Sequence, residues 1–277
     1  MSIVRKTLAA MTCGMGATLC ALPSLAAKAD YPNKTVQVYV DFAAGDPTNV
    51  VARMLADDLP KKLVGRSSLT IKWGRVMNSY GQLAQEGRFR GLHAVGANGT
   101  LSILPVVKKG LAHKLLTDFT SITVDQFPYY PVVPKDSKFN SYEDLIKAGS
   151  SPGGGLTFGF VGLGSANHPA DEWFSKSAGM NATHIPYKGD SVVLNDLITN
   201  RFNFAFLAGS VAIPQVDAKN LWTLGSASLS PDIGLENVPV LGKGFLPRFS
   251  AEPWNGLLGP GGPSKEIVSR LNTASTK

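Results

Sequence analysis

Cysteine is nearly absent from this chain of 277 residues, which contains only Cys13 and Cys20. Both lie in an N-terminal segment that we interpret below as a cleaved signal, so the mature protein would contain no thiol. This excludes disulfides, thiol catalysis and cysteine-ligated metal in the mature chain. Histidine is also scarce, and its four positions lack the spacing of metal ligands: His93, His113, His168 and His184. We therefore expect no metal site and no cofactor.

A large excess of charge of one sign is also missing. Lys and Arg together number 27 against 20 Asp and Glu, a net charge of +7. Loss of residues 1–29 would remove three positive residues and no negative one, leaving 24 against 20, or +4. Such a mildly basic surface suits a protein that handles anions, and it is too weak to indicate nucleic-acid binding.

The first 29 residues have the three zones of a secretory signal. Arg5 and Lys6 supply the positive zone, residues 8–25 are mostly apolar or small, and residues 27–29 read Ala-Lys-Ala, a small-x-small cleavage site. A retained membrane anchor is the alternative, but Pro23 and two glycines weaken a run that would need about 20 apolar residues to span a bilayer. We predict cleavage after Ala29 and export to the periplasm.

The remainder alternates short β-rich runs with helical patterns, which is typical of an α/β protein with mostly parallel sheets. A proline-punctuated stretch at residues 128–134 crosses to a second set of strands and helices, and the chain crosses back near Trp254. We predict two lobes in a Venus-flytrap arrangement: residues 30–133 plus 254–277 in lobe 1 and residues 134–253 in lobe 2. Small ligands bind where strand ends and helix starts face such a cleft.

Residues 38–59, VYVDFAAGDPTNVVARMLADDL, place a small-residue loop between a strand and an amphipathic helix. Backbone N–H groups and the positive end of the helix dipole then point to one spot, which favours anions. The alternative is structural: Asp46 is a good N-cap with Pro47 at the first helical position, and it would cap amides that a ligand would otherwise use. The candidate binding residues in this loop are Phe42, Ala44, Gly45, Asp46, Thr48 and Asn49.

Two further loops precede predicted helices. In the first, Ser165 can donate its hydroxyl and backbone N–H to a carboxylate, whereas the alternative is a plain loop in which His168 is a structural hydrogen bonder. In the second, the Tyr187 ring can form a cleft wall, and Lys188 either attracts an anion or is an ordinary solvated lysine. The candidates from these loops are Gly164, Ser165, Ala166, His168, Tyr187, Lys188 and Gly189.

These loops belong to a sequence that resembles the tripartite tricarboxylate transporter substrate-binding receptors, the Bug-type periplasmic solute receptors, from residue 31 to about residue 272. In that family the first loop usually reads PFxAGGxxD, so that Asp46 replaces the second glycine and Asn49 the acidic residue. Four more blocks carry the resemblance: GLGSANHPADEWFSKSAGM (162–180), HIPYKGDSVVLNDLITNRFNFAF (184–206), SLSPDIGLENVPVL (228–241) and PWNGLLGPGGPSKEIVSRLN (253–272).

The resemblance implies a periplasmic-binding-protein-like fold and a monomeric receptor that captures a small organic carboxylate. Main-chain amides and water from both lobes would bind this ligand, and integral membrane transporter subunits would accept it. Two departures leave open a degenerate paralogue that acts as a sensory or interaction partner. WGRVMNSYGQLA (73–84) stands where the family has a glycine-rich stretch, and family members usually continue beyond the region of Asn272 with another helix and strand.

An exported hydrolase is the competing class for an α/β protein. The chain has no Gly-x-Ser-x-Gly nucleophile elbow, no phosphate loop and no dinucleotide fingerprint after its first strand. We therefore predict no catalytic residues and a protein that is not an enzyme.

Overall fold

The computed structural model describes the chain from residue 31 onward with several gaps; the described residues are 31, 35–40, 45–63, 69–73, 80–81, 83–84, 92–111, 113–162, 165–233, 235–244, 246–262 and 264–276. The predicted signal at residues 1–29 lies outside them. So do three candidate binding residues: Phe42, Ala44 and Gly164.

The described strands are β1 (Val36–Val40), β2 (Leu69–Trp73), β3 (Leu92–Ala97), β4 (Phe119–Gln126), β5 (Tyr129–Pro134), β6 (Leu156–Phe160), β7 (Ala182–Pro186), β8 (Ala205–Ala208), β9 (Leu221–Thr223) and β10 (Trp254–Pro260). The described α-helices are α1 (Pro47–Lys62), α2 (Leu104–Val107), α3 (Leu115–Asp118), α4 (Tyr142–Ser150), α5 (Asn167–Ser177), α6 (Asp190–Ile198), α7 (Gly209–Asp217) and α8 (Lys265–Thr276). A π-helix covers Gly99–Ile103 and a 3-10 helix covers Leu241–Lys243. No helix in the described ranges combines the length and the apolar character that a membrane span needs.

The first sheet has the strand order β2-β1-β3-β10-β4. Strand β1 is parallel to β2 and β3, and β10 is antiparallel to β3 and β4. Alternate residues of β1 point inward, as expected for a strand with one face on the core. They pack with apolar residues of α1 and α8, including Ala52, Leu59 and Leu271.

The second sheet is built from β8-β5-β9 and β6-β7. Strand β5 is antiparallel to β8 and β9, β6 is parallel to β7, and a parallel bridge from Phe158 to Phe204 connects β6 to the residue before β8. Aromatic side chains make up much of its core and meet in tilted or edge-to-face contacts. Ring centroids lie 5.2–5.9 Å apart among Phe174, Phe206 and Phe249 and in the Phe158–Phe204 pair.

Strand direction confirms the α/β class and refines the expectation of mostly parallel sheets. In each sheet four of the described strands run in one direction and one strand, β10 or β5, opposes them. The opposing strands are the ones that follow a crossing. Because β4 leads the chain out of the first sheet and β10 leads it back beside β4, these two strands must run in opposite directions.

The crossing itself lies a few residues earlier than the sequence suggested. Residues 129–134, assigned beforehand mainly to lobe 1, form β5 and pair with strands of the second sheet. The two crossing segments lie side by side: Phe127 N donates to Pro253 O (3.1 Å) and Tyr129 N to Ala251 O (3.0 Å). Strand pairing thus joins residues 129–134 to the second sheet and residues 254–260 to the first sheet, and the division into two lobes stays a prediction.

Local sequence signals are visible at two helix ends. Ser141, with Asp144 three residues later, has the pattern of a capping box, and Ser141 Oγ accepts a hydrogen bond from Asp144 N (3.1 Å) at the start of α4. Pro60 lies in the last turn of α1, which continues to Lys62 and closes with a hydrogen bond from Leu63 N to Leu59 O (2.9 Å).

Candidate functional site

A small cavity lies where three helix starts meet the two crossing segments. It is lined by Asp46 and Thr48 at the start of α1, by residues 165–167 at the start of α5, and by Asp190 at the start of α6. Tyr129 and Asn255 line it from the crossing segments. Its volume is about 30 Å³, which is roughly the share of one water molecule. A larger cavity of about 240 Å³ adjoins it and shares Tyr129 and Ala166 in its wall.

The first backbone N–H groups of α1 are hydrogen-bonded within the helix start. Asp46 is 8% exposed, and its Oδ1 accepts a hydrogen bond from Thr48 N (3.0 Å). Its carbonyl oxygen accepts from Asn49 N and Val50 N, both at 3.0 Å, and Pro47 has no N–H. The amides of Thr48 and Asn49 are therefore bonded within the helix start, and the structural reading of Asp46 as an N-cap is confirmed. Carboxylate binding by residues 45–49 stays a prediction.

The other candidates of this loop have separate roles. Gly45 has φ +91°, a conformation that favours glycine, so its identity is explained by the backbone alone. Asn49 Oδ1 accepts from Arg53 Nε (2.9 Å) within the helix. Thr48 Oγ1 donates to Asn255 Oδ1 (2.9 Å), which ties α1 to β10. Asn255 is 2% exposed, and its Nδ2 has no hydrogen-bond partner.

Asp190 lines the same cavity as Asp46, and the two carboxyl groups lie close enough to affect each other's ionisation. Two neighbouring carboxylates repel each other, and this repulsion is relieved when one of them keeps its proton. Burial and the Asp46 charge raise the pKa of Asp190 well above its usual value, and burial also raises the pKa of Asp46. The side chain of Tyr129 lies close to the pair, and burial followed by these acidic charges raises its pKa.

A third acid stands behind the cavity. Asp171 in α5 is fully buried; its Oδ1 accepts from Phe206 N (3.2 Å), and its Oδ2 has no hydrogen-bond partner. Burial raises the pKa of Asp171 well above the usual value, with the charges of Glu172 and Asp190 as smaller causes. Three acids thus lie in or near the cavity: Asp46, Asp190 and Asp171.

In the turn before α5, the hydroxyl and backbone N–H of Ser165 also bond to neighbouring protein atoms. Ser165 Oγ lies 2.8 Å from Gly162 O and 2.7 Å from Asn167 Oδ1, and Ser165 N donates to Gly162 O (3.4 Å). The hydroxyl and amide of Ser165 are therefore bonded within the turn. Its contact with a ligand stays a prediction. The helix start differs from that of α1, because Ala166 is the N-cap residue and no side chain caps it. Among the described residues, no side chain therefore occupies the amides at the positive end of α5, which borders the cavity.

His168 is brought close to Glu172 and His184, which corrects the expectation of scattered histidines. His184 Nδ1 lies 3.0 Å from Glu172 Oε1, and His168 Nε2 lies 4.0 Å from the same oxygen. Each of the three side chains offers one atom of a type that coordinates metal ions, and these three atoms lie within 4.8 Å of one another. Lys176 Nζ, 3.4 Å from Glu172 Oε2, already pairs with this carboxylate. His168 is stacked on Phe160 (centroids 4.1 Å apart), which supports its predicted structural role.

Tyr187, Lys188 and Gly189 lie beside the cavity and are not among the described residues that line it. The Tyr187 hydroxyl donates to Asp196 Oδ2 (3.0 Å), and its ring packs on Phe202. Lys188 is exposed, and Gly189 precedes α6 as its N-cap residue. The residue of this segment that lines the cavity is Asp190. The sequence analysis did not select it, although an acidic residue at the start of a predicted helix could have been noticed.

Comparison with known proteins gives one family and several relatives. The model of the tripartite tricarboxylate transporter family receptor matches residues 83–277. Protein BugT of Bordetella pertussis is 25% identical over 247 residues, which cover 87% of this chain and 75% of BugT. MatC from Rhodopseudomonas palustris with bound malate has a TM-score of 0.76 at 23% identity, covering 89% of this chain and 84% of MatC. R. palustris Rpa4515 with adipate has a TM-score of 0.79 at 24% identity, covering 89% and 83%. These structures share the fold of this chain.

Proposed function

Since the chain belongs to the tripartite tricarboxylate transporter receptor family, we propose that it captures a small organic carboxylate and delivers it to integral membrane subunits of such a transporter. The main observation in support of this proposal is that the starts of three helices, α1, α5 and α6, line one cavity. Helix starts favour negative groups, and a carboxylate is the anion that the related structures with malate and adipate contain.

The start of α5 is the best place for the ligand carboxylate. It lies beside the cavity, and no side chain of the described residues caps it. Asn255 is another residue of the cavity wall, and its buried Nδ2 has no hydrogen-bond partner among the described residues. An unsatisfied buried donor is costly, so a ligand oxygen that accepts from it stabilises the bound state. We propose residues 165–167 and Asn255 as the carboxylate subsite.

Opening and closing of this cavity would accompany binding. We propose that the two sheets form the cores of two lobes and that the paired crossing segments at residues 126–129 and 251–254 form the hinge. Separation of α1 from α5 and α6 would admit a ligand to the cavity, and re-closure would bury it. The protein would act in this way as a monomer in the periplasm, with no chemical change to the ligand.

A carboxylate panel tests the receptor function. With the mature protein, at least one small carboxylate is expected to raise the melting temperature and to be recovered unchanged by mass spectrometry. A ligand at about 100 times its dissociation constant stabilises the folded state by about 2.7 kcal/mol. A well-folded sample that responds to no carboxylate would favour a degenerate paralogue acting as a sensory or interaction partner, and turnover of the ligand would favour an enzyme.

The export signal makes a separate prediction. The protein recovered from the periplasm should begin at Asp30, followed by Tyr31 and Pro32, because residues 27–29 form the cleavage site. Terminal sequencing checks this directly. Recovery of the protein with Met1 intact would contradict cleavage and support a retained anchor.

A further inference from the structure

The described residues of the cavity wall include acidic side chains and no basic ones, which is unexpected for a carboxylate receptor. Asp46 and Asp190 line it, Asp171 is buried behind it, and no Lys, Arg or His occurs among the described residues of its wall. Buried carboxylates are costly unless they are protonated, paired with a cation or hydrogen-bonded. Here Asp46 and Asp190 line one cavity with no cationic side chain among its described residues, and their repulsion is relieved when one of them keeps its proton. A cationic group between the two would replace that proton and satisfy both acids.

A second observation points to a ligand at the same place. Asn255 Nδ2 is buried without a partner in the wall of this cavity, while Asn255 Oδ1 is held by Thr48. With Oδ1 bonded to Thr48, Nδ2 is the part of this amide that is left to donate to a ligand oxygen when the cavity opens. The uncapped start of α5 lies in the same wall. The cavity thus presents acids on one side and hydrogen-bond donors on another.

We propose that the natural ligand is an amino carboxylate, whose ammonium group lies between Asp46 and Asp190 and whose carboxylate faces Asn255 Nδ2 and the start of α5. This inference rests on the proposed receptor function and specifies its ligand. Ammonium has three N–H donors, enough to bond both carboxylates and still reach Tyr129 or water. A plain dicarboxylate of the same length would place a negative group against the acid pair.

Matched ligand pairs test the inference by calorimetry on the mature protein: aspartate against succinate, glutamate against glutarate, and alanine against propionate. The amino member of the best-binding pair is expected to bind about tenfold to a hundredfold more tightly, the range for charged hydrogen bonds. Binding should also release up to one proton, because the ammonium displaces the proton that Asp46 or Asp190 keeps. Heats measured in two buffers of different ionisation enthalpy report this release, with Asp171 and Tyr129 as the other ionisable groups beside the pair.

Asp190→Asn keeps the shape of the side chain and removes its charge, so the preference for the amino member and the proton release should both fall. Asp46→Asn provides a second variant with the same expectation should Asp190→Asn fail to fold. Asp217→Asn, at the exposed end of α7, removes one charge away from the cavity and serves as the control.

Two negative results have different meanings. If plain members bind as tightly as their amino partners, the inference is overturned and the receptor function stands. If a folded sample binds no member of any pair and no other carboxylate, the receptor function itself fails, and this inference fails with it.

Discussion

Replacing Asp46 by Gly is expected to strengthen the binding of plain dicarboxylates by about tenfold to a thousandfold. A ligand carboxylate about 4 Å from an ionised Asp46 would be repelled by up to roughly 4 kcal/mol at an effective dielectric near 20. The same side chain occupies Thr48 N, so its removal also frees a helix-start amide for the ligand. Asp190 remains in the variant and, when protonated, can donate to the ligand carboxylate.

The stability cost of this change should be small, because glycine is a tolerable N-cap and the loss is a few tenths of a kcal/mol. Asp46→Asn is the matched variant: it relieves the repulsion but keeps the capping oxygen, so its gain should be smaller. Calorimetry at low salt with a panel of dicarboxylates measures both. If neither variant binds any dicarboxylate better than the parent protein, Asp46 is not the determinant, and residues 73–84 become the next segment to exchange.

The sequence predicted the elements well because their signals are local. The inward alternation of β1, the Asp46 and Ser141 caps and the apolar stripe of α1 all depend on residues within a few positions of one another. The placement of β5 in the second sheet was missed because strand pairing joins distant parts of the chain.

The same limit explains the candidate site. Asp46 was singled out from its loop, but its partner Asp190 comes from another helix start far along the chain. Amides of the first loop looked available because the sequence shows a loop before a helix and does not show that Asp46 will bond Thr48 N. His168 and His184 are separated in sequence, and only the packing of α5 against the second sheet brings them to the same carboxylate.

Asp171→Asn is expected to make the protein more stable at neutral pH. In the folded protein burial raises the pKa of Asp171 well above its usual value of 3.8, so the folded state holds this proton when the unfolded state has lost it. Folding therefore takes up a proton above about pH 4, and Asp171 lowers the free energy of unfolding as pH rises. The slope for one such group is about 1.4 kcal/mol per pH unit until its folded-state pKa is reached. Asparagine keeps an oxygen that can accept from Phe206 N and has no charge to lose.

Urea unfolding of the Asp171→Asn variant and the parent protein between about pH 5 and pH 7 measures this effect. The difference in unfolding free energy should grow with pH in favour of the variant. The two proteins must be compared at each pH because His93 also contributes to the pH dependence. Burial lowers the pKa of His93 to about 4, so its contribution to the free energy of unfolding rises with pH in both proteins. Asp57→Asn, exposed on α1, removes the same charge from the surface and should show no comparable trend. A constant difference across this range would mean that Asp171 is ionised in the folded state, with its second oxygen bonded to water. The cavity would then hold a full negative charge behind the acid pair, a still stronger reason for a cationic group on the ligand.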